Sequence, residues 1–260
     1  MSENGNSLWP KPDSIGIRPG GVDHAGFPQR VHVDHHRGTV AARPPLFSGI
    51  LPGDYTRIAA AGRFKEFARG EMLYLEGDPV GQVLLLTGGY VKTTRLGLNG
   101  TEVILRLSVP GDVLGAAGLL SGGTHCTTAQ AFRLCRALVW EAPAFKTLVE
   151  RFPVLHQNMV RILGEDLLEL EDRFREVSTE KVSQRVARQL VRLTEKIGQP
   201  VDGSVEVGLS REELAQMTGT TLFTVSRLLS AWEARGMVRP RREAVTVCDI
   251  QLLRATSQEA

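Results

Sequence analysis

From Leu209 to Arg239 the chain reads Leu-Ser-Arg-Glu-Glu-Leu-Ala-Gln-Met-Thr-Gly-Thr-Thr-Leu-Phe-Thr-Val-Ser-Arg-Leu-Leu-Ser-Ala-Trp-Glu-Ala-Arg-Gly-Met-Val-Arg. Ser210 stands three residues before Glu213, a capping box that predicts a helix start. Leu214 and Ala215 give that helix a packing face, and Ala215 is small enough for a second helix to cross closely. Gly219 supplies the turn. Thr220 or Thr221 then caps the next helix. Along it Val225, Leu228, Leu229 and Trp232 recur on one side at helical spacing, which predicts inward packing. The other side carries Leu222, Phe223, Ser226, Arg227 and Ser230. An arginine and small hydroxyls near a helix N-terminus, after a glycine turn, suit the DNA major groove.

Charge points the same way. Between Thr220 and Arg242 there are five arginines (227, 235, 239, 241 and 242) and one acid, Glu233, while the whole chain carries a formal charge of only +2. A local cationic excess is expected where phosphates are met. Met237-Val238 and Ala244-Val245-Thr246-Val247 read as two short strands, with Arg239-Pro240-Arg241-Arg242 between them at the tip. That is a wing, which makes the whole stretch a winged helix-turn-helix.

A chain of 260 residues with 42% hydrophobic content has material for one or two cores. It contains no run of eighteen apolar residues, so no membrane partner is expected, and its N-terminus lacks the pattern of a secretory signal. Three scattered cysteines (126, 135 and 248) fit a reducing cytoplasm. No Gly-rich phosphate loop, zinc signature or nucleophile elbow occurs. The chain is therefore expected not to be an enzyme, with no catalytic and no metal residues.

Four segments follow, in an α+β fold. Residues 1–44, rich in Gly, Pro and His, read as a disordered leader. Its His24, His32, His35 and His36 lack a carboxylate or cysteine at a committed metal spacing. Residues 45–150 alternate short apolar runs (72–75, 83–86, 90–91, 103–105, 138–140) with glycine turns, among them Asn99-Gly100. Such spacing predicts an all-β roll or barrel, the sensor domain. Residues 151–178 read as one long helix. Val160, Leu163, Leu167, Leu170, Phe174 and Val177 repeat in alternating steps of three and four, a heptad seam between charged flanks. This predicts a two-stranded coiled coil, hence a homodimer. Packing against the chain's own β domain is the competing reading. Residues 179–260 complete the DNA-binding domain. A second helix there turns Val182, Val186, Leu190 and Leu193 inward, and a short strand holds Val205 and Val207.

A β-roll, a long dimer helix and a winged helix-turn-helix in this order resemble the Crp/Fnr family of bacterial transcription regulators. The resemblance spans roughly residues 46–254. It rests on Gly70-Glu71 through Gly77-Asp78, Gly100-Thr101-Glu102, Pro110-Gly111-Asp112 and Thr224-Val225-Ser226-Arg227. It implies a signal received in the roll and relayed by the long helices to two recognition helices one DNA turn apart. The implied partners are double-stranded DNA with a two-fold symmetric site, a second copy of the chain, and RNA polymerase.

The effector pocket implied by the family comprises Gly111, Asp112, Ala116, His125, Cys126 and Thr127. Here the chain departs from cyclic-nucleotide-binding members. Ala116 stands where they carry a glutamate for the ribose, and His125-Cys126 where they carry an arginine for the phosphate. Cyclic AMP would lose its main charge-assisted partner, so the effector is expected to be something else. An iron–sulfur cluster needs four cysteine ligands, and the chain has three in all. Two alternatives stay open: constitutive DNA binding without an effector, and haem or redox gas sensing through His125 and Cys126. The plainer reading of that pair is ordinary strand residues, which would point to opposite faces.

By the same resemblance Arg227 reads a base, bonding guanine O6 and N7. Ser226 and Leu222 stand beside it. Phe223 replaces a glutamate common in relatives, and either rests on a thymine methyl or packs inward. Thr220, Thr221 and Arg211 are placed for phosphates near helix N-termini, and Arg239, Arg241 and Arg242 for backbone contacts from the wing.

Overall fold

The computed structural model describes residues 43–258. The expected leader, with His24, His32, His35 and His36, lies outside the described residues except at its last two positions.

After a short 3-10 turn at Pro45–Phe47 comes α1 (Pro52–Ala60), then β1 (Arg63–Phe67), β2 (Met72–Tyr74), β3 (Gln82–Gly88), β4 (Val91–Leu96), β5 (Glu102–Ser108) and β6 (Val113–Leu114). Helix α2 (Ala116–Leu120), β7 (Thr128–Ala131), β8 (Cys135–Glu141) and α3 (Ala142–Arg151) follow. The eight strands form two four-stranded sheets, ordered β1-β8-β3-β6 and β2-β7-β4-β5. The all-β expectation for this stretch is corrected: α1, α2 and α3 are helical. Periodicity missed them because each is short; Pro52 and Pro143 stand in the first turns of α1 and α3, where proline starts a helix.

The apolar run Val83–Leu86 is continuous because β3 is buried on both faces. Leu84 and Leu86 join Phe67, Val91, Ala129 and Val139 between the sheets. Val83 and Leu85 join Leu138, Trp140, Ile58 and Phe145 on the outer face, under α1 and α3. The Trp140 indole N–H donates to Ile58 O at 2.8 Å, so the ring is buried without an orphaned donor.

Helix α4 (Pro153–Thr179) has two apolar faces. Leu155, Met159 and Ile162 pack into the outer core of the roll. On the same face the Asn158 amide donates to Leu46 O and Ser48 O, both at 2.8 Å. Of the predicted seam, Val160, Leu167, Leu170, Phe174 and Val177 are exposed on the single chain, Phe174 at 73%, and Leu163 is half-buried. The stripe of α4 that packs on the roll is thus not the predicted seam, whose residues the single chain leaves mostly exposed.

Helix α5 (Val182–Ile197) buries Val186, Leu190 and Leu193, with Val182 at its margin. Strands β9 (Gln199–Val201) and β10 (Ser204–Val207) form a hairpin. Helices α6 (Arg211–Thr218) and α7 (Leu222–Ala234) come next, then β11 (Val238–Pro240), β12 (Val245–Val247) and α8 (Ile250–Thr256). The third sheet is ordered β11-β12-β10-β9. Its core also takes in Ile104, Leu107 and Phe132 from the roll. Two residues three apart on one strand face the same neighbour because β5 slips register against β4 at Thr93/Thr94, which inserts one residue between Ile104 and Arg106.

Candidate DNA interface and the roll interior

Local chemistry builds the helix-turn-helix. The Ser210 hydroxyl accepts from Glu213 N at 3.1 Å, and the Glu213 carboxylate accepts from Ser210 N at 2.7 Å. This satisfies two of the orphan donors at the start of α6. Gly219 ends the helix at φ +61, a left-handed conformation that side chains rarely adopt. Between the two candidate caps, Thr221 is the one used, its hydroxyl accepting from Thr224 N at 3.2 Å. Val225, Leu229 and Trp232 are buried, with Leu228 partly so.

The outward face of α7 is open. Arg227 is exposed, Ser226 half-buried and Leu222 half-exposed. Phe223 is 75% exposed, so of its two readings the core position is excluded and the open apolar surface stands. Among the described residues Arg227 enters no ion pair. An open groove of about 540 Å³ separates the starts of α6 and α7 from the wing. Arg211, Glu212, Leu222, Arg241, Arg242 and Glu243 line it. The Arg211 Nε is buried without a hydrogen-bond partner among the described residues. Thr220 is half-buried at the turn and Thr221 exposed.

The wing differs in detail from its sequence reading. Arg239 and Pro240 belong to β11, so the tip is Arg241 to Ala244, closed by Arg241 N donating to Ala244 O at 2.7 Å. Two acids temper its charge. Arg241 pairs with Glu206 at 3.5 Å, and Glu243 pairs with Arg69 of the roll at 2.7 Å. The Arg69 contact holds the Glu243 carboxyl below its ordinary range. Neither partner was legible, because Glu206 and Arg69 are brought to the wing from other elements. Arg239 and Arg242 remain exposed.

In the roll, Gly111 takes φ +101 and donates its N–H to Leu86 O, fixing the turn before β6. Ala116 is buried at the start of α2, and Thr127 is half-buried. His125 and Cys126 precede β7 and are not strand residues, which corrects the sequence reading. They nonetheless face different surroundings. His125 is 6% exposed and stacks on Tyr74 at 3.7 Å between ring centroids, whereas Cys126 is exposed beside Ser121. Burial lowers the His125 pKa, with Asp78 opposing. Burial raises the Tyr74 pKa against hydrogen bonds from Thr127 and Gly115. Among the described residues no group of three or more His, Cys, Asp or Glu is placed to hold a metal ion.

Asp112 meets a cation that sequence reading missed. Arg106, on β5, pairs with Asp112 at 3.2 Å and with Asp166 of α4. Burial acts to lower the Arg106 pKa, and the two carboxylates outweigh it. Burial raises Asp166, with Arg106 pulling it back. On α4 and α5, Glu176 is 5% exposed and held by Arg192 and Arg188. An arginine in a strand and carboxylates on a helix give no periodic signal, so only tertiary structure pairs them.

A helix-turn-helix with an open cationic face, joined by a long helix to a two-sheet roll, defines the architecture of a DNA-binding regulator. The pattern of the Crp-like helix-turn-helix domain matches residues 184–256, and that of the cyclic nucleotide-binding domain matches residues 64–152. The cyclic AMP receptor protein of Thermus thermophilus is 30% identical over 210 residues, covering 80% of this chain and 94% of that protein. The CRP-like cAMP-activated global transcriptional regulator of Mycobacterium tuberculosis is 26% identical over 216 residues, covering 82% and 96%. A CRP-family transcriptional regulator of Thermus thermophilus superposes with a TM-score of 0.67 at 25% identity, over 75% of this chain and 97% of that one. The chain belongs to the Crp/Fnr family and is a DNA-binding transcription regulator. No helix of its described residues is long and apolar enough to cross a membrane.

Proposed function

We propose that the chain works as a homodimer joined along the α4 seam, in which residues 45–150 sense a signal, residues 151–178 pair, and residues 179–260 read a two-fold symmetric DNA site. The observation that carries this is the open face of α7. Arg227 stands there with no ion pair among the described residues, beside an exposed Phe223, and five apolar seam residues are exposed on α4. Arg227 reads guanine, Phe223 and Leu222 rest on thymine methyls, and Ser226 assists. Arg211, Thr220, Thr221, Arg239, Arg241 and Arg242 meet phosphates and set the register. RNA polymerase is the partner through which bound protein acts.

The signal is proposed to be other than cyclic AMP, although two relatives are named for it. Buried Ala116 offers no carboxylate, and His125 is packed on Tyr74 with its neutral form favoured by burial. Neither supplies the fixed positive charge a cyclic phosphate needs.

Selection of bound duplexes from a random library, with and without cyclic AMP, tests both statements. The expected result is a two-fold symmetric consensus whose recovery is unchanged by cyclic AMP. Absence of a symmetric consensus under either condition overturns the dimeric reading. A consensus that appears only with cyclic AMP overturns the effector reading.

A further inference from the structure

The DNA-binding half meets the roll across an apolar patch formed by Ile104, Leu107 and Phe132. Apolar contact is non-directional, so such a patch holds two bodies together without fixing their rotation. Directional bonds are needed for that: Arg69 pairs with Glu243, Arg133 donates to Gly208 O at 2.8 Å, and a third link comes from α4 through Arg173. Its guanidinium reaches both bodies at once. One nitrogen donates to Leu105 O on β5. The other donates to Met217 O, in the last turn of α6, at 2.8 Å, and approaches Ile104 O at 3.5 Å. A planar fork with fixed donor directions sets an angle where a point charge would not. From α5, Arg185 donates to Thr218 O at 3.3 Å and reaches toward Gly219 O. The carbonyls of the turn that aims α7 are thus held from the helices beside them.

Arg173 also lies between Leu170 and Phe174, both exposed on the seam. In an isologous pair, any rotation of the helix-turn-helix relative to α4 occurs in both copies. The separation of the two α7 helices therefore changes by twice the displacement in one copy. We propose that Arg173 is a positioning residue for the distance between the two recognition helices, and with it for the half-site spacing the dimer accepts. This rests on the dimeric reading above.

The test uses the full chain and a duplex panel in which the two selected half-sites are separated by spacers of increasing length. The wild-type protein is expected to favour one spacer sharply. Arg173→Gln is expected to flatten that preference by about tenfold, corresponding to loss of a charge-assisted hydrogen bond. Its base preference within each half-site and its dimer mass stay as in the wild type. Arg173→Lys, which can hold one carbonyl at a time, is expected to give an intermediate profile. An unchanged spacer profile in Arg173→Gln overturns the proposal. So does a loss of half-site preference in the same proportion, which marks general destabilisation. If Arg173→Gln fails to fold, Arg173→Lys carries the test, and failure of both makes the residue merely structural. A wild-type protein without any symmetric site overturns the dimeric reading itself, and that arm is independent of the variants.

Discussion

The outward face of α7 and the contact between β5 and α4 both carry arginines, and they use them in opposite ways. On α7 the guanidinium of Arg227 is exposed and meets no acid among the described residues. Between β5 and α4 the guanidinium of Arg106 is largely buried and shared by Asp112 and Asp166. A cation left unpaired and wet costs the fold little and is available to a ligand. A cation taken out of water must bring its own counter-ions, and is then spent on construction. Exposure and partners, more than residue type, separate recognition from architecture here.

Substitutions on each side can break or sharpen that contrast. The largest effect is expected at Arg227. Arg227→Ala removes about 2 kcal/mol per half-site, which for a symmetric dimer is roughly a thousandfold in affinity for the selected site. Nonspecific binding and melting temperature stay put. Binding titrations on specific and random duplexes check this, and equal losses on both would remove the base-reading role. Arg106→Ala is expected to do the reverse. It leaves two carboxylates facing each other and costs about 3 kcal/mol of stability, measured by denaturant unfolding, with the selected half-site sequence unchanged.

Smaller effects follow. Arg241→Gln is expected to weaken binding only a few-fold on every sequence and to lower the salt slope by about 1. Its guanidinium already pairs with Glu206 at 3.5 Å, and a change in base preference would contradict a backbone role. The smallest effect concerns pH. Because burial lowers the folded pKa of His125, its stacked neutral form stabilises the fold above the ordinary histidine range. That contribution is lost as pH falls through the lowered folded value. Melting temperature should therefore decline on acidification more steeply in the wild type than in His125→Phe, and parallel curves would disprove it.

Sequence legibility divides along the same line. The capping box at Ser210, the turn at Gly219 and the apolar side of α7 were readable because each depends on neighbours within four residues. The apolar stripe of α4 that the single chain leaves exposed was readable by period. The second stripe of α4, Leu155, Met159 and Ile162, was missed because the heptad pattern masked it, and the short helices α1, α2 and α3 were missed for want of length. At the candidate site, Arg227 and Phe223 were found as outward residues, but the choice between core and surface for Phe223 needed the packing of α7. Glu206, Glu243 and Arg69 were not found as modifiers of wing charge.

By itself, then, the chain's order of residues determined its local elements, the polarity of each helix face and the chemistry offered to DNA. These follow from hydrogen bonds and side-chain periods that act over one or two helical turns. Tertiary structure alone decided which charges cancel, which apolar stripe of α4 the roll covers, and that Arg173 bridges β5 and α6. The two bonds of that bridge join residues 44 and 68 positions apart. At that separation proximity is set by how whole elements pack, and no local pattern encodes it.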